Sequence, residues 1–567
     1  MNNIIFLIMR RMRLPLLTLV VVYAVSVLGM TLLPGRDADG NLWHMDIFHA
    51  FYFVSFTSTT IGFGEIPYEF TDAQRLWVTF SLYISVISWL YAIGTIITLL
   101  QDKLFQRAIA ESLFARRVRR MREPFYLVCG YGETGQKLVG AFTDHGQHVV
   151  VLDWDETKIN QIQLQNLRDY VPALTADARV PLHLREAGLP HAACAGVVAV
   201  TDDNETNLKI AITSKLLHPD IRVIARADSA EVEANMASFG TDQIIDPFET
   251  FSRHLARALR TPCLYLLGRW LGGDEGADLE EPLYPPRDGL WLVCGYGRFG
   301  KEVVDRLNRE GMQAVVVEAQ PQLTGEPPAG YVRGRGTEAE TLIEAGIQEA
   351  VGIVAGTDDD TNNLSVVMTA RELRPDLFVI LRQNNSQNRD LIQAVGADMV
   401  MHPSAIIAER IRILFGTPML AEFFQLASQQ DNAWACQLIS RLSGMVSRHV
   451  PVVREVILDE AQAPAVVQLL GGGTGLSLGE LLSDPWDRTR KLPCAVLMLC
   501  RDSKKVLMPE LDLELRAGDT LLVAGAGHGH GRLAWTLGHH AALDYVRSGE
   551  ARPQGWLWRH LRRMRRP

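Results

Sequence analysis

Twelve residues of this chain occur twice in nearly the same form. Phe125-Tyr-Leu-Val-Cys-Gly-Tyr-Gly-Glu-Thr-Gly-Gln136 and Leu290-Trp-Leu-Val-Cys-Gly-Tyr-Gly-Arg-Phe-Gly-Lys301 each run from apolar residues into Gly-x-Gly-x-x-Gly. About twenty residues on, a second apolar run ends in an acid, Asp153 in one copy and Glu318 in the other. Short unbroken apolar runs are buried strands, and glycines at the end of one allow a tight turn into a helix. Later landmarks recur too. Thr201-Asp202-Asp203-Asn204 with Asn207-Leu208 matches Thr357-Asp358-Asp359-Asp360 with Asn363-Leu364. Phe239-Gly240-Thr-Asp242, leading to Pro247, matches Val395-Gly396-Ala-Asp398, leading to Pro403. Such a duplication predicts two α/β domains in series. Pro321, Pro327 and Pro328 stand where copy one has a helical stretch, Thr157 to Arg168, so copy two is expected to lack that helix.

Ahead of the repeat, residues 14–33 and 76–100 are apolar runs long enough to cross a bilayer. Arg10, Arg11 and Arg13 precede the first; Arg116, Arg117, Arg119, Arg120 and Arg122 follow the second. Arginines collect on the cytoplasmic side, so residues 34–46 and 65–72 are expected outside. A signal peptide has a similar charge-then-apolar order, but the run is long for one and no small-x-small cleavage site follows. Neither run carries a voltage-sensing arginine repeat. Residues 47–59 are apolar and aromatic but too short to span, which predicts a re-entrant helix with Asp46 as N-cap. Thr59-Thr60-Ile61-Gly62-Phe63-Gly64-Glu65 follows. It resembles the potassium-channel filter signature, Thr-x-Gly-Tyr/Phe-Gly and then an acid. Alternate glycines let successive carbonyls face one axis and replace the hydration shell of K+ at Thr60, Ile61, Gly62 and Phe63. A carbonyl ring needs four such segments, so the expectation is a homotetramer in a lipid bilayer. Phe63 and Glu65 stand where Tyr and Asp are commonest, which leaves filter stability open. Gly94 is either a gating hinge or a close-packing point.

The glycine turns suit a phosphate-bearing ligand: backbone approaches a pyrophosphate, the helix start lies beneath it, and the acid reaches a ribose. In copy one the candidate residues are Gly130, Tyr131, Gly132, Glu133, Thr134, Gly135, Asp153, Asp177, Thr201, Asp202 and Arg226. In copy two they are Gly295, Tyr296, Gly297, Arg298, Phe299, Gly300, Glu318, Arg335, Thr357, Asp358 and Arg382. Each copy resembles an RCK domain (regulator of potassium conductance, or TrkA-N type). The segment order resembles prokaryotic two-span potassium channels with tandem RCK domains, over nearly the whole chain. The resemblance implies Rossmann-like folds and binding of NAD(H), an adenine nucleotide or a metal ion. It also implies crossover helices, here 248–272 and 403–430, that clasp a neighbouring domain. Asp177 stands where the family has an acid near the adenine, and Arg335 takes that place in copy two. Arg226 suits bidentate phosphate contact. Calcium is a second candidate effector, through Asp202, Asp203, Glu205, Asp358, Asp359 and Asp360. Calcium-gated relatives place acids where this chain has Arg226-Ala-Asp228, which puts that particular site in doubt.

The expected layout is multidomain. An α-helical two-span pore domain (1–100) with a re-entrant helix leads through a continuing helical linker (101–124) to an α/β first RCK domain (125–272). A linker (273–288), the second RCK N-terminal subdomain (289–430), an α+β C-terminal subdomain (431–545) and a basic tail (546–567) follow. The tail, with Trp556, Trp558 and Leu561, is read as solvated or as lipid-contacting. A mean hydropathy of +0.04 fits a small membrane part on a large soluble one. The net charge of −9 gives no case for nucleic acid. Seven scattered cysteines without a CxxC pair argue against a disulfide framework or structural zinc and for a reducing compartment. The reading is a ligand-gated potassium channel of the cell (inner) membrane with its N-terminus and RCK ring in the cytoplasm. An NAD-dependent enzyme would leave the filter unexplained, and a transporter's regulatory subunit would lack the spans.

Overall fold

The computed structural model describes residues 2–59, 61–273 and 276–549. Thr60 of the expected filter and the tail from residue 550 lie outside the described residues. The chain divides into two units, Met1–Met121 and Arg122–Pro567.

In the first unit, α1 (Asn2–Leu32) leads through an antiparallel hairpin, β1 (Pro34–Arg36) and β2 (Leu42–His44), to α2 (Ile47–Ser58), α3 (Asp72–Gln101) and α4 (Lys103–Val118). Met9–Leu32 and Asp72–Gln101 are long and apolar enough to cross a membrane. The short α2 buries Ala50, Phe53, Val54 and Phe56 in one cluster with Met30, Met45 and Phe70. Asp46 takes the N-cap position, but its carboxylate pairs with His49 and caps nothing. The helix expected to continue past the second span is interrupted. Asp102 is extended at φ −68°, ψ 116°, and its carboxylate accepts the N–H groups of Leu104 and Phe105, which starts α4 afresh. Arg11, in the N-terminal part of α1, pairs with that carboxylate at 3.1 Å, so that part of α1 and the end of α3 lie on one side. Gly94 lies within α3, and a Cβ there would meet no atom of this chain within 4 Å. Close packing within one protomer therefore does not account for it.

The second unit opens with copy one: β3 (Phe125–Cys129), α5 (Glu133–Asp144), β4 (His148–Asp153), α6 (Glu156–Leu164), β5 (Ala173–Thr175), α7 (Pro181–Glu186), β6 (Cys194–Ala199), α8 (Asn204–Leu217), β7 (Val223–Arg226), α9 (Ala230–Ser238) and β8 (Gln243–Ile245). The strands pair in parallel in the order β5-β4-β3-β6-β7-β8, which is doubly wound. The crossover pair α10 (Pro247–Arg260) and α11 (Pro262–Gly272) follows.

Copy two runs β9 (Leu290–Cys294), α12 (Arg298–Arg309), β10 (Gln313–Val317), α13 (Pro321–Thr324), α14 (Ala339–Glu344), β11 (Ala350–Ala355), α15 (Asp360–Leu373), β12 (Phe378–Arg382), α16 (Arg389–Val395) and β13 (Met399–Met401). It ends in its own crossover pair, α17 (Pro403–Gly416) and α18 (Pro418–Ala427). Its parallel sheet, β10-β9-β11-β12-β13, lacks the outer strand of copy one; a single bridge from Val317 to Val332 stands there. As expected from the prolines, the helix after the acid shrinks to the one turn of α13.

Each crossover pair breaks at Thr-Pro, Thr261-Pro262 and Thr417-Pro418, where proline cannot continue the preceding helix but starts the next. The long helices are exchanged. Ile407, Ile411, Leu414 and Phe415 of α17 complete the core of copy one, and Phe248, Phe251, Leu255 and Leu259 of α10 complete that of copy two.

The C-terminal block, α19 (Asn432–Ser443), β14 (Val452–Ile457), α20 (Pro464–Gly471), α21 (Leu478–Leu481), β15 (Cys494–Arg501), β16 (Lys504–Leu507), β17 (Thr520–Gly525), α22 (Gly527–Gly538) and α23 (His540–Ser548), builds on an antiparallel sheet. The linker from copy one lies along it: Leu279 N–H donates to the Arg448 carbonyl and Val450 N–H to the Ala277 carbonyl. No disulfide framework is present among the described residues, but one bond is. Cys263 of α11 and Cys436 of α19 are bonded, with Cα atoms 5.1 Å apart across 173 residues of sequence. Helix packing makes that pair, so spacing along the chain carries no trace of it.

Phe415 touches Tyr126 at 4.4 Å and Phe142 at 6.0 Å between ring centroids. Phe415→Ala should remove about 3 kcal/mol from the stability of copy one, read as a lower melting temperature of the full chain. A wild-type melting temperature would contradict the exchanged packing.

Candidate functional site

At the C-terminus of α2, Ile61 N–H donates to the Phe56 carbonyl at 3.0 Å, and the chain then leaves the helix. Gly62 and Gly64 take φ of +64° and +99°, with no atom within 4 Å of where a Cβ would stand. The alternation expected of a carbonyl ladder is therefore present in the described part of the loop. Phe63 lies edge-on to Phe56 at 5.3 Å, so ring packing against α2 positions it. Glu65 accepts Phe70 N–H at 2.8 Å and both the Nε and Nη2 protons of Arg75, at 2.8 and 3.1 Å. The tie of Arg75, in the first turn of α3, to the loop exit is a tertiary contact that residue order does not show.

The two glycine turns are near-copies. A Cβ on Gly135 would stand 2.1 Å from the Gly130 carbonyl oxygen, and one on Gly300 2.0 Å from that of Gly295, so the turn closes only with glycine. Around Gly297 there is open space, and around Gly132 the nearest atom is Asp202 Oδ2 at 3.7 Å. Gly132 and Gly297 hold the N-cap positions of α5 and α12 and bring no capping side chain. A bared helix start with room above its middle glycine fits a pyrophosphate. Asp153 and Glu318 stand at the strand ends as expected, but both are nearly buried and hold the turn itself. Asp153 accepts the N–H of Tyr131 at 2.6 Å and of Asp155 at 2.8 Å; Glu318 accepts those of Tyr296 at 2.6 Å and Gln320 at 2.7 Å.

Behind the turns, sequence reasoning named Thr201 and Thr357 but left out the residues that fix them. Fully buried Asn207 accepts the Thr201 N–H and hydroxyl and donates to the carbonyls of Thr201 and Arg226. Asn363 repeats these bonds with Thr357 and Arg382. Their recurrence as Asn207-Leu208 and Asn363-Leu364 was the available signal.

The charges differ between copies. Arg226, expected on a phosphate, is paired with Asp202 at 2.8 Å and lies 3.6 Å from Asp228. Asp177 is gripped by Arg179, whose guanidinium holds its carboxyl below the usual range. In copy two, Arg382 makes no ion pair among the described residues. Its Nε is buried without a hydrogen-bond partner, and the guanidinium lies 5.2 Å from the Phe248 ring centroid. Burial lowers its pKa. Arg335 is exposed. Of the six acids considered for calcium, Asp203 and Asp359 cap helix starts, accepting the N–H groups of Thr206 and of Thr361 and Asn362; Asp360 accepts those of Asn384 and Asn385 in the loop after β12, and Asp202 pairs with Arg226. Among the described residues no group of three or more His, Cys, Asp or Glu could hold a metal.

The turns also reach across the repeat, which sequence could not reveal. Arg298, at the start of α12, pairs with buried Asp228 of copy one. Glu133, at the start of α5, accepts the N–H and hydroxyl of Ser386 of copy two, both at 2.8 Å, and lies 3.7 Å from His402.

Residues 126–247 and 291–403 each match the TrkA-N domain, and residues 16–102 match an ion channel domain. The chain thus carries a region matching an ion channel domain followed by two TrkA-N (RCK) domains. Among similar proteins, potassium channel protein 1 of Methanocaldococcus jannaschii is 24% identical over 38% of this chain and 63% of its own length. A protein of Methanothermus fervidus is 28% identical over 40% of this chain and 35% of its own. The chain thus spans between a third and two-thirds of these curated relatives. Among solved structures, the GsuK channel is 17% identical, with 94% of this chain and all of that one covered, at a TM-score of 0.49.

His402 sits beside Lys137 at 3.2 Å, and burial with that charge lowers its pKa from 6.5 to about 4, against Glu133 and Asp360. The folded state thus resists protonating it. Its share of stability is full above pH 6.5 and lost as pH falls toward 4. His402→Gln should flatten the decline in melting temperature over that interval; an unchanged slope would contradict the assignment.

Proposed function

We propose that this chain forms a quarter of a homotetrameric potassium channel, gated by nucleotides that bind a cytoplasmic assembly of its tandem RCK domains. The observation that carries this reading is the loop after α2. Gly62 and Gly64 both have positive φ, beyond a short helix held between two span-length helices. Carbonyls presented that way by four chains would strip and replace the water of a K+ ion. Gln101 ends the second span, and with Arg11 joined to Asp102 the chain ends of the pair share one side, taken as cytoplasmic from the arginines. The bilayer is then the cell (inner) membrane.

The gating ligand is an adenine nucleotide or NAD(H). The turns Gly130–Gly135 and Gly295–Gly300 would hold its phosphates, Asp153 and Glu318 keep those turns in shape, and unpaired Arg382 is ready to meet an anion in copy two. Arg226 would first have to leave Asp202, so the two sites differ in readiness. A ligand gates only if open and closed assemblies bind it differently. Arg298 and Glu133 supply a route for that difference, since each ties one turn to the other copy. The calcium reading gains no support from Asp202, Asp203, Asp359 and Asp360, which are already engaged by an arginine, helix starts or a loop.

The test is potassium flux into liposomes containing the purified protein. Expected are flux that excludes sodium, loss of flux in Gly64→Ala, and a nucleotide response lost in Asp153→Ala/Glu318→Ala with selectivity intact. Each single change should weaken binding at its own copy by roughly tenfold. Absence of flux under every nucleotide condition would overturn the channel reading; unchanged binding in both acid variants would overturn the site.

A further inference from the structure

The four crossover helices line an open pocket of about 220 Å³. Arg253, His254 and Arg257 line it from one face of α10, Arg269 from α11 and Arg410 from α17, with a single carboxylate, Glu409. Leu264, Ile406 and Phe424 give it an apolar wall. It lies across the repeat: His254 is matched by Arg410, Arg257 by Ile413 and Arg269 by Gln425, at the spacing that separates Pro247 from Pro403. Two copies of one ancestral surface have therefore diverged into a basic pocket.

Two of these arginines have carboxylate partners. Arg269 pairs with Glu280 at 2.5 Å and lies 3.9 Å from Glu409, and exposed Arg253 lies 3.7 Å from Glu249. Arg257 and Arg410 make no ion pair among the described residues. Both are half-buried, and burial with neighbouring arginines lowers their pKa. The same surroundings push His254 down to about 3, so its imidazole is neutral and offers one N–H. Unpaired guanidinium groups facing one another out of water cost free energy that a bound anion removes.

We propose that this cavity binds a small, multiply charged oxyanion, a phosphate ester or a di- or tricarboxylate, held mainly by Arg257 and Arg410. Guanidinium groups from α10 and α17 would fork onto its oxygens, with the apolar wall taking a short carbon skeleton. It is separate from both glycine turns, which lie at the carboxyl ends of the sheets. Because α10 and α17 cover opposite copies, an anion joining them would stiffen the joint between the two RCK domains.

The test titrates inorganic pyrophosphate and citrate into the full chain in detergent by calorimetry, at an ionic strength matched with sodium chloride. Saturable binding is expected, retained in Asp153→Ala/Glu318→Ala and weakened at least about tenfold in Arg257→Gln and Arg410→Gln. Arg257→Lys should bind within a few-fold of wild type, which separates lost charge from lost folding. In anion-free buffer Arg257→Gln should melt no lower than wild type, whereas a purely structural arginine would leave it less stable. No saturable heat with either anion, wild-type affinity in both glutamine variants, or loss of binding in the Asp153/Glu318 variant would overturn the proposal.

Discussion

Each nucleotide-type sheet in this chain has one face covered by the last long helix of the other copy. A sheet must bury its apolar face, and here α17 does so for copy one and α10 for copy two. The Thr-Pro breaks make the exchange feasible, because they let α11 and α18 turn away at once toward the C-terminal block. Copy one and copy two are consequently one cooperative body. The two glycine turns are bridged across the repeat, Arg298 to Asp228 and Glu133 to Ser386. The basic cavity exists only because the same four helices meet.

The scaffolding beneath the two sites has barely changed since the duplication. Asn207 and Asn363 make the same bonds to threonine and arginine backbone, and Asp242 and Asp398 accept the N–H of Val223 and Val379, near the starts of β7 and β12, at 2.7 Å in each copy. What has diverged is charge on the surface that a ligand would meet. Copy one neutralises its arginine with Asp202, and copy two leaves Arg382 half-buried over an aromatic ring. Copy two keeps the matching acid, Asp358, but no ion pair joins it to Arg382 among the described residues, so the copies differ in side-chain pairing on one retained fold.

In the pore unit the corresponding constraint is the loop exit. Glu65 is longer than the aspartate common at that place, and the extra reach is used: it spans to Arg75 and to the Phe70 N–H. Phe63 lacks a phenol hydroxyl, and its ring packs on Phe56. Phe63 and Glu65, the two departures from the commonest signature, each make a contact within this unit.

Periodicity and glycine placement determined the spans, the re-entrant helix, the duplicated parallel sheets, the loss of a helix at Pro321 and the positions of both turns. These are local properties: run length, backbone angles open to glycine, and the missing N–H of proline act within a few residues. Tertiary structure alone decided which helix covers which sheet, that Asp153 and Glu318 hold backbone N–H groups, that Arg226 is paired and Arg382 is not, and that Cys263 meets Cys436. Those depend on contacts between residues tens to hundreds of positions apart, for which one sequence carries no spacing rule. A charge can be read from its residue type, but whether it is free depends on what the fold sets beside it.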